Sequence, residues 1–266
     1  MVLSVFRAPR RAARFAPLLL LALVLMPAST QAAFLGSPNP RVGLYQFHHG
    51  VDIDYTERKV TSSRWTPELT FRNVRLTARE TYGMFAWRDI LVNVSGLFGI
   101  SRAEMDFGAV DMGDGGTFWN TYDPGGVAVG AVRDLKFGEN FGSTWGGALH
   151  ARFFKLNSMQ VAGGAQIMYS SSSDSGLPAM RLRYNEWDAF LGIEIDRPFL
   201  SFYTGANMSW LVGELKLPDR ATDIDQKDLI GVYMGMGLKF YRHMDFHLEV
   251  RLLNQNSLSG QLSYHF

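Results

Sequence analysis

From Ile230 to Phe240 the chain alternates without a break. Ile230, Val232, Met234, Met236, Leu238 and Phe240 form one row, and Gly231, Tyr233, Gly235, Gly237 and Lys239 form the other. Successive side chains of a strand point to opposite faces, so this is a strand with one apolar face. The pattern restarts after His243-Met244-Asp245, where Phe246, Leu248, Val250 and Leu252 oppose His247, Glu249 and Arg251. It restarts again after Asn254-Gln255-Asn256, where Leu258, Leu262, Tyr264 and Phe266 oppose Ser259, Gln261, Ser263 and His265. Three amphipathic strands in a meander need a core or a lipid phase to receive their apolar rows.

The start of the chain bears on which. Arg7, Arg10, Arg11 and Arg14 precede an apolar run from Phe15 to Met26, and Pro27 to Ala32 then supplies small residues. A basic leader, a short apolar stretch and a small-residue cleavage region make a secretory signal peptide. Residues 1–32 are therefore expected to be removed, leaving 33–266 as one domain. Four of the 26 basic residues and none of the 25 acidic ones lie in the leader, so the remainder carries a formal charge of −3. No basic surplus points to nucleic acid, and with no cysteine there is no disulfide framework. Past the leader, no apolar run reaches the roughly 20 residues of a spanning helix. Lipid admits only helices and closed barrels, because each backbone polar group must find a partner within the protein. If the chain crosses a membrane, it does so as a barrel, with half of each strand facing lipid and half the lumen.

In chain order, 33–41 with Pro38 and Pro40 reads as an entry segment. Tyr45 to Thr56 is a strand, with Asp52, Asp54 and Thr56 on its polar row, and Glu57 to Pro67 is polar and reads as a loop. Glu68 to Tyr82 alternates less cleanly, because Leu69 and Phe71 oppose the phase of Val74, Leu76 and Ala78, and a bulge is expected there. Ile90 to Ser101 is a third strand, Asp106 to Gly126 a long Gly- and Asp-rich loop, and Val127 to Leu135 a fourth strand. Trp145 to Phe153, Glu186 to Ile195 and Leu200 to Val212 are further strands, and Lys216 to Lys227 is a charged loop. Short turns are expected at Phe85–Asp89, Phe137–Ser143, Arg197–Pro198 and His243–Asp245. They separate five pairs, and because the strand number should be even, Val161–Tyr169 is assigned to an outer-side hairpin or strand extension rather than to an eleventh crossing. The expected fold is an all-β, antiparallel, up-and-down transmembrane barrel of about ten strands, with twelve or eight as alternatives. Trp187 and Trp210 should mark its outer interface, and Phe240, Tyr264 and Phe266 its inner one.

With the strands placed, the chain resembles the small bacterial outer-membrane barrels of the outer membrane protein A transmembrane-domain and opacity-protein type. The resemblance is carried by the closing strands, 231–238 and Gly260-Gln261-Leu262-Ser263-Tyr264-His265-Phe266. It implies residence in the bacterial outer membrane, outer-membrane lipid as a partner, and reading of Leu262, Tyr264 and Phe266 by the barrel-assembly machinery. No peptidoglycan-binding domain is expected, since the chain stops on the closing strand.

Asp245-Phe246-His247 with Asp52 and Asp54 resembles the two halves of an omptin protease site, but the halves are expected at opposite ends of the barrel. His48-His49 lacks the further ligands of a metal site, so it reads as a pair at the membrane edge. No cofactor is expected. The remaining candidates are inward charges: Asp52, Asp54, His150, Arg152, Glu186, Asp188, Glu194, Lys239, His247, Glu249 and Arg251. Charges of both signs in a narrow lumen should pair across it. That favours a non-enzymatic structural or surface-interaction barrel, with a narrow porin-like channel for small solutes as the alternative. An outer-membrane enzyme, omptin-like or lipid-modifying, is a third reading.

Overall fold

The computed structural model describes residues 35, 42–62, 65–106, 136–138, 140–174, 180–216, 221–240 and 243–265. The strands are β1 (Phe47–Ser62), β2 (Trp65–Trp87), β3 (Ile90–Asp106), β4 (Lys136–Phe137), β5 (Gly142–Leu156), β6 (Met159–Asp174), β7 (Met180–Asp196), β8 (Leu200–Lys216), β9 (Ala221–Gln226), β10 (Ile230–Phe240), β11 (Met244–Leu252) and β12 (Asn256–His265). Ten of them form a continuous antiparallel circuit, β1-β2-β3-β5-β6-β7-β8-β10-β11-β12, and β12 pairs back onto β1 from His48↔His265 to Glu57↔Asn256. Closure removes both sheet edges. Arg88 and Asn157 take left-handed backbone, φ 52 and φ 51, within the two-residue links after β2 and β5, as tight hairpins require. Both links lie at the end where β1 begins and β12 stops. This is the short-turn end, which is periplasmic in barrels of this kind.

Strand length divides the barrel into two storeys. β10, β11 and β12 have 11, 9 and 10 residues, close to the 9–11 that a tilted strand needs to cross lipid. β1, β7 and β8 have 16, 17 and 17. At about 3.3 Å per residue the excess carries them roughly 20 Å past the short strands. β9 arches over the ends of those short strands, pairing with β8 through Val212↔Asp225 to Lys216↔Ala221 and with β1 through Val60↔Gln226 to Ser62↔Ile224.

In the lower storey the apolar rows face outward. Val51, Ile53, Phe98, Leu191, Ile193, Phe202, Val232, Met234 and Leu262 are exposed there. The register pair Trp187↔Trp210 and the rings of Trp145 and Tyr169, 5.4 Å apart, stand at the top of this belt. Phe202, Phe240 and Tyr264 stand at its bottom, so the described part of the expected girdles is in place. In the upper storey the polarity reverses. Lys59, Arg181, Lys216, Asp223 and Asp225 are on the outside. Val60, Leu69, Phe71, Ala103, Met105, Phe137, Met180, Leu182, Tyr184, Leu211, Leu215 and Ile224 form one buried core inside. Phe71 meets Tyr184 edge to face at 5.2 Å, a geometry favoured by the ring quadrupoles.

Several expectations change. Leu69 and Phe71 share the inward row with Asn73, Arg75, Thr77 and Arg79, so no phase switch occurs there. The irregularities of β2 lie instead between Gly83 and Phe85 against β3, and beyond Leu69 against β1, where Val60↔Leu69 is followed by Ser62↔Trp65. Val161–Tyr169 belongs to a full crossing, β6, paired with β5 and β7 along its length. Phe137–Ser143 is not a short turn at the periplasmic end: Ser143 pairs with Ile100 and Ser171, toward the loop end. The expected strand Val127–Leu135 and most of the preceding loop fall outside the described residues, and β3 pairs directly with β5. The count of ten stands because β6 takes the place reserved for that strand. Lys216–Lys227 carries β9 as well as a loop. The leader and Phe266 also lie outside the described residues.

Candidate functional site

The lumen of the lower storey is a layer of guanidinium and carboxylate groups. Glu186 sits between two arginines, accepting from Arg58 Nη2 and from Arg75 Nη2, the latter at 2.5 Å. Arg58 also donates to Gln226 Oε1 at 2.9 Å, which ties β9 to this layer. Arg251 donates to Glu249 Oε1 at 3.0 Å and to Asp188 Oδ1 at 3.3 Å. Asp52 accepts from Arg79 Nε at 2.7 Å and from Gln261 Nε2 at 2.8 Å. The side chains of Arg58, Glu186, Glu249 and Arg251 are wholly buried. Ionised groups persist so deep only when paired and bonded on several sides, and these bonds join β1, β2, β7, β9, β11 and β12 across the barrel.

The named lumen residues divide by height. Asp52, Asp54, Glu186, Asp188, Glu194, His247, Glu249 and Arg251 are buried. His150 packs its ring edge to face on Phe190 at 5.1 Å. Arg152 and Lys239 belong to the short-turn rim. Arg152 donates to Asp89 O and Gln160 Oε1, and Lys239 Nζ stands 2.6 Å from Asp196 Oδ1. Arg58, Arg75 and Arg79, which supply three of the four buried guanidiniums among the described residues, were missed as lumen charges. Phase alone finds them, since Arg58 is in step with Asp52 and Asp54, and Arg75 and Arg79 with Asn73.

The two halves of the omptin-like pattern lie nearer than expected. Gln261 is the register partner of both His247 and Asp52. Both are buried in the wall, with Asp52 held by Arg79 and Gln261, while Asp245 is at the rim beside His265 at 2.8 Å. No group of three or more metal-ligating side chains occurs among the described residues. His49 Nδ1 contacts the Glu80 carboxylate on the outer face, and His48 meets the ring of His265.

Below the charged layer the wall is lined by tyrosines lying on glycines. The Tyr203 ring covers Gly235, where an added Cβ would stand 2.3 Å from Cζ. Tyr233 covers Gly192 and Gly205 in the same way. The glycines on the inward row are therefore required by close approach, and even a small polar side chain at Gly235 would collide with the Tyr203 ring. Leu35 fills the space between these rings and Phe190.

No protein-family model matches this chain, and no curated protein sequence does. Solved structures match in architecture. The outer-membrane protease OmpT of Escherichia coli aligns over 86% of this chain and 100% of its own at a TM-score of 0.50, with 8% identity. An outer-membrane channel of Pseudomonas putida F1 aligns over 91% and 100% at 0.38, with 10% identity. The toluene transporter TodX of Pseudomonas putida aligns over 90% and 94% at 0.38, also with 10% identity. At such identities the likeness speaks to the fold alone. Together with the closed circuit and the outward apolar belt, the likeness to OmpT gives the chain the fold of a transmembrane β-barrel of the bacterial outer-membrane type.

Proposed function

We propose that this protein is a non-conducting, non-enzymatic outer-membrane barrel, exported by its leader, that acts through the storey standing above the membrane as a structural or surface-interaction element. The observation that carries this reading is the filling of the lumen at three heights: the apolar core above, the paired charges in the middle and the Leu35 cluster below. A ten-stranded barrel lies between filled eight-stranded barrels and open porins, and here side chains occupy the difference. Purified protein in a planar bilayer should leave the conductance at that of the bare lipid. Stable single-channel steps would sink the reading and favour a narrow solute channel. That second reading draws on the middle layer, where Thr56, Asn73 and Thr77 are buried with polar atoms that only water would satisfy.

The outward row of β12, with Leu262 and Tyr264 exposed, fits recognition by the assembly machinery together with Phe266. Deleting Phe266 should leave export intact and reduce folded barrel in the outer membrane, read as heat-modifiable mobility on a gel. Undiminished folded barrel would reject the role.

A further inference from the structure

Leu35 belongs to no strand, yet it is wholly buried inside the barrel. Its side chain packs with Phe190, Tyr203 and Tyr233, and its N–H donates to Glu249 Oε1 at 3.1 Å. Val42 and Tyr45 are fastened at the short-turn end. The Asn93 amide, oriented to satisfy both its atoms, donates to Val42 O and accepts from Val42 N, each at 3.0 Å. Tyr45 N–H donates to Gly83 O at 2.8 Å. Tyr45 itself has φ 63. A bulky residue in the left-handed region marks a point where the surroundings hold the backbone against its preference, and here the chain reverses between β1 and the lumen.

The chamber offers more than Leu35 uses. Tyr233 is fully buried and its hydroxyl has no partner. Asn207, the register partner of Phe190, is buried with both amide atoms unpartnered. The apolar core above closes the way outward, so exchange can occur only from the short-turn end.

We propose that this chamber is a peptide-binding site. It takes a peptide that presents one bulky aliphatic side chain to the tyrosines and the N–H of that residue to Glu249. Leu35 is its resident occupant, exchangeable from the short-turn end.

The chain contains no cysteine, so Leu35→Cys in the processed full-length protein is a single reporter. A polar maleimide should label it far more slowly than Phe199→Cys, which replaces a side chain 77% exposed. Adding the synthetic peptide AFLGSPNPR, which reproduces residues 33–41, should accelerate that labelling saturably. The same peptide with aspartate in place of leucine should not. An unchanged rate at saturating peptide, or equal acceleration by both peptides, overturns the proposal. Separately, a protein lacking residues 33–41 should bind the fluorescein-labelled peptide with one site per barrel, by anisotropy. Glu249→Gln should weaken that binding by about tenfold or more, the worth of a hydrogen bond to a charged group. Absence of binding to a deletion protein whose heat-modifiable mobility shows it folded also overturns the proposal. If the deletion protein does not fold, the labelling experiment decides.

Discussion

The two storeys are built by the same strands and have opposite polarity. On β7, Leu191 and Ile193 face out while Asp188 and Glu194 face in. A few residues up the same strand, Arg181 and Arg183 are on the outward row and Leu182 and Tyr184 are buried within. On β1, outward Val51 and Ile53 with inward Asp52 and Asp54 give way to outward Lys59 with inward Val60. The backbone ladder is continuous through the change, so the switch comes from the solvent outside. Where the outside is lipid, apolar side chains are best placed there, and charges retreat inward to be paired. Where the outside is water, the barrel takes the ordinary arrangement of a soluble protein, with an apolar core worth about 1.5–3 kcal/mol per large side chain buried. On β1 and β7 a strand row thus keeps its direction through the boundary while its chemistry tracks the medium. The boundary falls at the Trp187↔Trp210 pair, where rings with one apolar and one polar end are suited to an interface.

The comparison can be broken most severely at its charged layer. Glu186→Gln leaves Arg58 and Arg75 facing a neutral amide in a buried site, and should cost about 3–5 kcal/mol, as breaking one side of a buried ion network does. Urea unfolding in lipid vesicles measures it. A loss below about 1 kcal/mol would mean that the middle layer is wet enough to screen its charges. Next in size is Leu191→Arg, which places a charge near mid-depth on the lipid face and should cost about 2–4 kcal/mol in the same assay. A negligible cost would remove lipid from the lower storey. The smallest effect is expected from the converse change a little higher on the same strand. Arg183 is on the outward row of the upper storey, so Arg183→Leu should shift stability by no more than about 0.5 kcal/mol. A large stabilisation in vesicles would show that lipid reaches that height and that the boundary is drawn too low.

The failed expectations trace to this inversion and to pairing at a distance. Leu69 and Phe71 looked out of phase only because apolar was equated with outward along the whole of β2. Arg58 was passed over because its neighbours Lys59 and Glu57 made the stretch read as a polar loop. Val161–Tyr169 stands aside in the sequence because, with Val127–Leu135 counted, it would be an eleventh strand in a barrel whose strand number is even. Nothing in the local pattern distinguishes such a strand from a hairpin arm. Leu35 gave no signal at all: a leucine beside prolines in an entry segment carries no period, and its burial depends on Tyr203, Tyr233 and Glu249 meeting around it.

By itself the sequence determined the consequences of a period of two. These are the strand class, the outward rows of the lower storey, the inward placement of Asp52, Asp54, Glu186, Asp188, Glu249 and Arg251, and the need for closure once no spanning helix was found. All are local results of backbone geometry and of the cost of leaving polar groups unpaired in lipid. The tertiary structure decided everything that depends on what lies across the lumen or outside the wall: which arginine meets which carboxylate, where the polarity turns over, that β9 bridges β8 to β1, and that the chain's own Leu35 occupies the chamber. Alternation says that two faces differ. Only the closed barrel, with lipid around one part and water around the other, settles what each face touches.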